Sequence, residues 1–199
     1  MPFRSLVVLA LIAVAFSPSL GRAQDALPFS AGQWGLEGSA SASPEGGVMR
    51  FFSPKTALVL SGSYYKVSST DETNDPFYGS FKVKSGQSVG FARLGLRFFR
   101  PLATSLVQFT TVGITAQHIN QNQDDPVSGV PLDGTFTNLG AFGEFGAQYH
   151  LATRFALGAA LRAEYLHVSG KTTGSGAEMK TTGNGFSVDF IPIRASIFF

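Results

Sequence analysis

The chain has 199 residues, with 15 Lys and Arg against 13 Asp and Glu, no cysteine, 23 glycines and 19 phenylalanines. That length fits one domain, and the near balance of charge offers no basic patch of the kind nucleic acid requires. The lack of cysteine excludes a disulfide framework, Cys-rich zinc sites and a lipid-modified N-terminal cysteine.

Residues 1–23 come first, with Arg4, the apolar run Leu6 to Phe16, Pro18 and the small-residue site Gly21-Arg22-Ala23. They read as a secretory signal peptide. The run is shorter than the roughly 20 apolar residues of a transmembrane helix. The mature domain is therefore expected at 24–199, starting near Gln24; losing Arg4 and Arg22 leaves it formally neutral. Later apolar stretches are all interrupted by Gly, Ser, Thr or a charge. A membrane span would then have to be a closed barrel, the one alternative to helices that satisfies every backbone group in lipid.

Along the rest of the chain apolar residues recur at period two, the spacing of strands. Four segments close on aromatics and then turn tightly or end: "MRFF" before "SPKT", "LRFF" before "RPLAT", "AQYH" before "LATR", and the final "SIFF". Phe52, Phe99, His150 and Phe198 mark these closes, at steps of 47, 51 and 48 residues. Each step holds one strand up, a connection and one strand down, which predicts four hairpins and eight strands. The connections at the other end are long and polar, from Ser68, Asn120 and Ser169, with one short exception near Ser43. Short turns at one end and long loops at the other match bacterial outer-membrane barrels.

In "RFALGAALRAEY", Phe155, Leu157, Ala159, Leu161, Ala163 and Tyr165 share one face, while Arg154, Arg162 and Glu164 fall on the other. "NLGAFGEFGAQYH" splits likewise, with Leu139, Ala141, Phe145, Ala147 and Tyr149 against Asn138, Phe142, Glu144, Gln148 and His150. The polar face carries Glu37, Arg93, Arg97, Glu144, Arg162, Glu164 and Arg194 and almost no lysine. This suits a narrow lumen in which arginines and carboxylates pair, closing the interior to diffusion. Phe51, Phe98, Tyr149 and Phe199 are placed on the apolar face at the short-turn ends, and Trp34, Tyr64, Phe109, Phe145, Phe155 and Tyr165 elsewhere on it. Such rings form interfacial girdles. Phe52, Phe99, His150 and Phe198 are then expected to point inward as a plug. Alternation alone also fits a soluble up-and-down barrel with an apolar cavity, a lipocalin-like periplasmic carrier.

On these features the chain resembles the small eight-stranded outer-membrane barrel family, of the OmpA-barrel and OmpX type. The resemblance covers residues 32 to 199. It implies an all-β, antiparallel up-and-down transmembrane barrel with short periplasmic turns and longer extracellular loops. It further implies a monomer without a cofactor, set in outer-membrane lipid, with a structural or surface-interaction role carried by its loops. In that family a last strand ending on an aromatic after alternating hydrophobics signals insertion by the barrel-assembly machinery; the matching positions here are Ile191, Ile193, Ala195, Ile197 and Phe199. Pro192 departs from the pattern and predicts a bulge, because proline lacks the ladder donor.

Signs of chemistry are few. His118, His150 and His167 are too scattered for a metal site of known spacing, and the acids of "DETND" and of "DD" at Asp124 and Asp125 suit solvated loop tips. His167 and Ser169 share a strand face, with Glu178 following; together they have the residue types of a nucleophilic triad. The lipid A 3-O-deacylases, which are also eight-stranded outer-membrane barrels, are similar in a His-x-Ser pair on the seventh strand with a Glu beyond. The Asn- and Pro-rich surroundings of their site are missing here.

Overall fold

A sheet whose strands are apolar on one face and charged on the other can satisfy its edges by closing on itself. A computed structural model shows this for the chain and describes residues 27–40, 44–75, 79–124, 131–174 and 177–199. The leader at 1–23, the start near Gln24 and Asp125 lie outside the described residues. Eight strands follow in order: β1 (Trp34–Ala40), β2 (Glu45–Ser53), β3 (Thr56–Asp75), β4 (Gly79–Pro101), β5 (Leu106–Gln123), β6 (Leu132–Ala152), β7 (Phe155–Gly174) and β8 (Ala177–Phe198). Each pairs antiparallel with the next, and β8 returns to β1 to close the barrel. Reciprocal backbone bonds of 3.0 Å between Trp34 and Phe199 fasten the closure at the short-turn end.

The pairing is staggered. Partners followed round the wall run Gly38, Gly46, Gly62, Ala92, Ala116, Leu139, His167 and Asn184, yet Gly38 itself faces Ala195, eleven residues further along β8. Stagger of this kind tilts the strands and sets the barrel's width, leaving an eight-stranded interior that side chains fill.

Leu36, Leu60, Leu94, Leu96, Ile114, Leu139, Leu157 and Ile197 are all exposed on the outside, while Arg93, Arg97, Glu144, Arg162, Glu164 and Arg194 are buried inside. A soluble carrier needs the reverse, an apolar cavity under a polar exterior. Small residues make the filled interior possible. A Cβ on Gly146 would lie 2.5 Å from the Phe109 ring and 2.4 Å from the Ala159 carbonyl oxygen, so glycine lets that ring enter the lumen.

Three sequence expectations are corrected. The two "RFF" motifs have opposite registers: Arg97 points in with Phe99, but Arg50 points out over the Trp34 ring, 4.7 Å from its centroid. Phe51 is therefore buried at 1% exposure and Phe52 lies outside at 58%. The extra residue is taken up by a bulge between Phe51 and Ser53. Phe109 faces the lumen because β5 alternates with Gln108 and Thr110 outward and Val107, Phe109 and Thr111 inward. Ile191 is also inside, at 1% exposure. Gly158 pairs with Arg194 and Ala160 with Ile191, so Pro192 and Ile193 together oppose Ala159. Pro192 marks the expected bulge, and the bulge reverses the facing of the strand above it.

The long connections are largely paired strand. The β3–β4, β5–β6 and β7–β8 hairpins continue to Asp75, Gln123 and Gly174. Polar cross-strand contacts accompany them, including Ser69 with Ser85 at 2.7 Å and Lys171 with Glu178 at 3.2 Å. Serine, threonine and charge on both faces suit a ladder standing in water on either side. The β1–β2 hairpin is the short one, with strands of only 7 and 9 residues.

Gly146→Leu should force Phe109 and Ala160 apart and destabilise the barrel by about 1–3 kcal/mol, as overpacking of a filled interior does. Urea unfolding of the refolded protein in detergent micelles would read this as a lowered midpoint.

Candidate functional site

The lumen at mid-height is filled by charge. Glu37 comes from β1, Glu45 from the first position of β2, Arg93 and Arg97 from β4, Glu144 from β6, Arg162 and Glu164 from β7, and Arg194 from β8. Alternation directs each inward, and the narrow bore brings strands from opposite walls within side-chain reach. Glu144 is the hub: Arg97 Nη2 donates to it at 3.2 Å, Arg162 Nη2 at 2.9 Å and Arg194 Nη2 at 2.7 Å. Glu37 accepts from Arg97 Nη1 at 2.5 Å. Glu45 accepts from Arg93 Nη1 at 3.0 Å and from both terminal nitrogens of Arg162. Glu164 takes a two-pronged contact from Arg93, at 3.1 and 3.2 Å.

Four guanidiniums face four carboxylates, so the cluster is neutral, as burial demands. Arg97 has a third partner, its Nε donating to Thr111 at 2.8 Å. It also lies 4.7 Å from the Phe109 ring centroid, with Arg194 5.4 Å from the same ring. The forks of arginine suit this shared, planar pairing better than lysine would.

Below the ions sits an aromatic cap. Phe29, in the segment before β1, stacks on Phe51 at 4.5 Å and lies 4.7 Å from Phe99 and 5.0 Å from Phe198. His150 stacks on Phe198 at 5.6 Å. Phe99, His150 and Phe198 are where the alternation places them; Phe51 takes the position assigned to Phe52, and Phe29 supplies the centre.

Two members could not be read from the pattern. Glu45 lies in "SPEGG", which looks like a turn, and Phe29 precedes the first strand. An unmatched charge was the available clue to Glu45: four inward arginines required a fourth acid beside Glu37, Glu144 and Glu164.

The candidate triad is not assembled. His167 and Ser169 do lie outside with Tyr165, but His167 Nδ1 is 3.0 Å from Asn184 Oδ1 and Ser169 pairs across the strands with Thr137 and Thr182. Glu178 pairs in register with Thr173, four positions beyond Ser169, and its carboxylate meets Lys171 at 3.2 Å. His118 is on β5 and reaches Thr137 at 3.3 Å, remote from His150 in the cap.

No family model matches the chain, and no curated protein matches it in sequence. Solved structures do match it. The outer membrane protein OprG from Pseudomonas aeruginosa aligns over 88% of this chain and 99% of its own, with a TM-score of 0.55 at 13% identity. A major outer membrane protein from Thermus thermophilus aligns over 84% and 99%, with a TM-score of 0.51 at 10% identity. The likeness is one of fold: the chain has the closed antiparallel β-barrel of these outer-membrane proteins.

Removing Glu144 takes a carboxylate from three arginines and leaves Arg194 with Glu37, at 4.0 Å, as its remaining ion pair. Glu144→Leu should cost about 3–5 kcal/mol, the penalty of uncompensated buried charge, and Glu164→Gln, at a carboxylate paired with Arg93, should cost less. Equilibrium urea unfolding of both variants in the same micelles would measure the order.

Proposed function

We propose that this protein resides in the bacterial outer membrane as a closed barrel whose role is structural or is exercised at the cell surface by its protruding hairpins. The observation that supports this reading is an ionic layer inside the barrel with an aromatic cap below it. Each arginine in the ionic layer is held by more than one contact. The outward band of leucine, isoleucine and aromatic rings supports lipid contact, and the polar hairpins above it supply the surface available to a partner.

Insertion by the barrel-assembly machinery is part of the proposal. Ile193, Ala195, Ile197 and Phe199 form the outward row that would be recognised, with Ile191 removed from it by the bulge. Deleting Phe199 should reduce the heat-modifiable form in outer-membrane fractions several-fold; undiminished insertion would contradict this role.

In planar bilayers the purified protein should show no steady conductance. Phe29→Ala with Phe51→Ala, which opens the cap, should remain silent because the ionic layer still closes the bore. Discrete channel events in the wild type would overturn the occluded reading. His167→Ala and Ser169→Ala should leave lipid A acylation in the host unchanged, since Glu178 is engaged by Lys171 and sits beyond them on the hairpin.

A further inference from the structure

The short β1–β2 hairpin has a consequence for the wall. Among the described residues, the last β2 partner of β3 is at Gly62 and the last β1 partner of β8 is at Ile193. Among the described residues, Ser63–Asp75 and Ala177–Pro192 each have a free edge towards the other, and these two strands are not paired together. The gap begins within the apolar band, because the outward residues of β8 beyond its last β1 partner are Phe190, Val188 and Phe186, at 63%, 54% and 63% exposure.

A cavity of about 400 Å³ lies at this level, directly above the ionic layer. It is lined on β8 both by the inward Ser187 and Asp189 and by the outward Val188 and Phe190, so the space wraps round the free edge and communicates with the outside of the barrel. Tyr65, Val89, Phe91, Leu166 and Ile191 contribute apolar side chains to its walls, beside the polar Gln117. Its floor is polar: Arg93 and Arg162 reach it with their pairing carboxylates Glu45 and Glu164. Asp189 adds a third acid against those two bases, and no ion pair engages it among the described residues.

We propose that this cavity is a binding site for a small single-chain amphiphile with a cationic amine head, entered through the gap between β3 and β8. The volume lies towards the lower end of the roughly 300–1,000 Å³ typical of ligand sites, and the lining sets apolar side chains beside charged and polar groups, as an amphiphile would need. The surplus carboxylate selects the sign of the head. The two arginines already face Glu45 and Glu164, so with Asp189 the carboxylates outnumber the bases at the floor and favour a cation. An amine would meet Asp189 at the rim, with Tyr65 and Leu166 around the first carbons and the remaining chain leaving through the gap beside Phe190. This goes beyond the occluded-barrel reading and is independent of it, since the site lies above the obstruction and needs no flow through it.

The test is calorimetric titration of octylamine, octanol and octanoate into the full-length protein in zwitterionic nanodiscs, with empty nanodiscs as reference. Octylamine should bind saturably at one site, roughly five- to ten-fold tighter than octanoate, the scale of one partly shielded ion pair. Asp189→Asn, at an exposed position, should erase that preference while leaving octanol unchanged. Ser187→Trp, also exposed, should fill the cavity and abolish saturable binding of all three, with heat-modifiable migration confirming that the variants fold. Equal uptake by loaded and empty nanodiscs, octanoate binding as tightly as octylamine, or wild-type binding by Ser187→Trp would each overturn the proposal.

Discussion

The barrel depends on Glu144 being paired. An eight-stranded wall leaves a bore only as wide as the side chains that fill it, and a charge placed there has no water to fall back on. Glu144 on β6 reaches Arg97 on β4, Arg162 on β7 and Arg194 on β8. Through them it is tied to Glu37 on β1 and Glu45 on β2. The shortest hairpin, with the least backbone ladder of its own, is thus anchored from across the lumen. Buried ion pairs add little over apolar side chains of equal volume, but losing one partner is costly. The cluster therefore specifies which strands may face each other more than it adds stability.

The same requirement explains what the wall can do. Glu45 must sit at the top of β2 to meet Arg93 and Arg162, so the hairpin ends there while its neighbours continue. Pro192, which has no backbone donor to offer, stands where β8 passes the last β1 partner, Ala40 opposite Ile193. The bulge beside it turns Ile191 inward as a cavity wall and leaves Phe190 outward in the apolar band. Closure below and an open edge above come from one local arrangement of β1, β2 and β8.

Much of this was legible in the sequence because period two is a strong signal where a strand has arginine on one face and leucine on the other. β6 and β7 were read residue by residue for that reason, and Arg93, Arg97, Glu144, Arg162, Glu164 and Arg194 are all in the lumen. Reading failed where contrast is low or the chain slips by one. "LVQFTTVG" offers no charge to orient Phe109. The two "RFF" motifs look alike although Arg50 rests on Trp34 outside while Arg97 is buried. The hairpin extensions look like loops in sequence because a strand wet on both faces carries no hydrophobic pattern, only the Ser, Thr and Lys of its cross-strand pairs.

The central claim is that charge faces the lumen while the leucine and isoleucine face meets lipid. The chain has no native cysteine, so single cysteines report without background. Ile114→Cys and Leu161→Cys on the outer face and Thr137→Cys on a hairpin extension would be probed in proteoliposomes with a membrane-impermeant maleimide, and with a fluorophore quenched by nitroxide-bearing lipid tails. The account predicts that positions 114 and 161 are shielded from the maleimide and strongly quenched, while position 137 labels fully and is not quenched. Ready labelling at 114 and 161 without lipid quenching would contradict it.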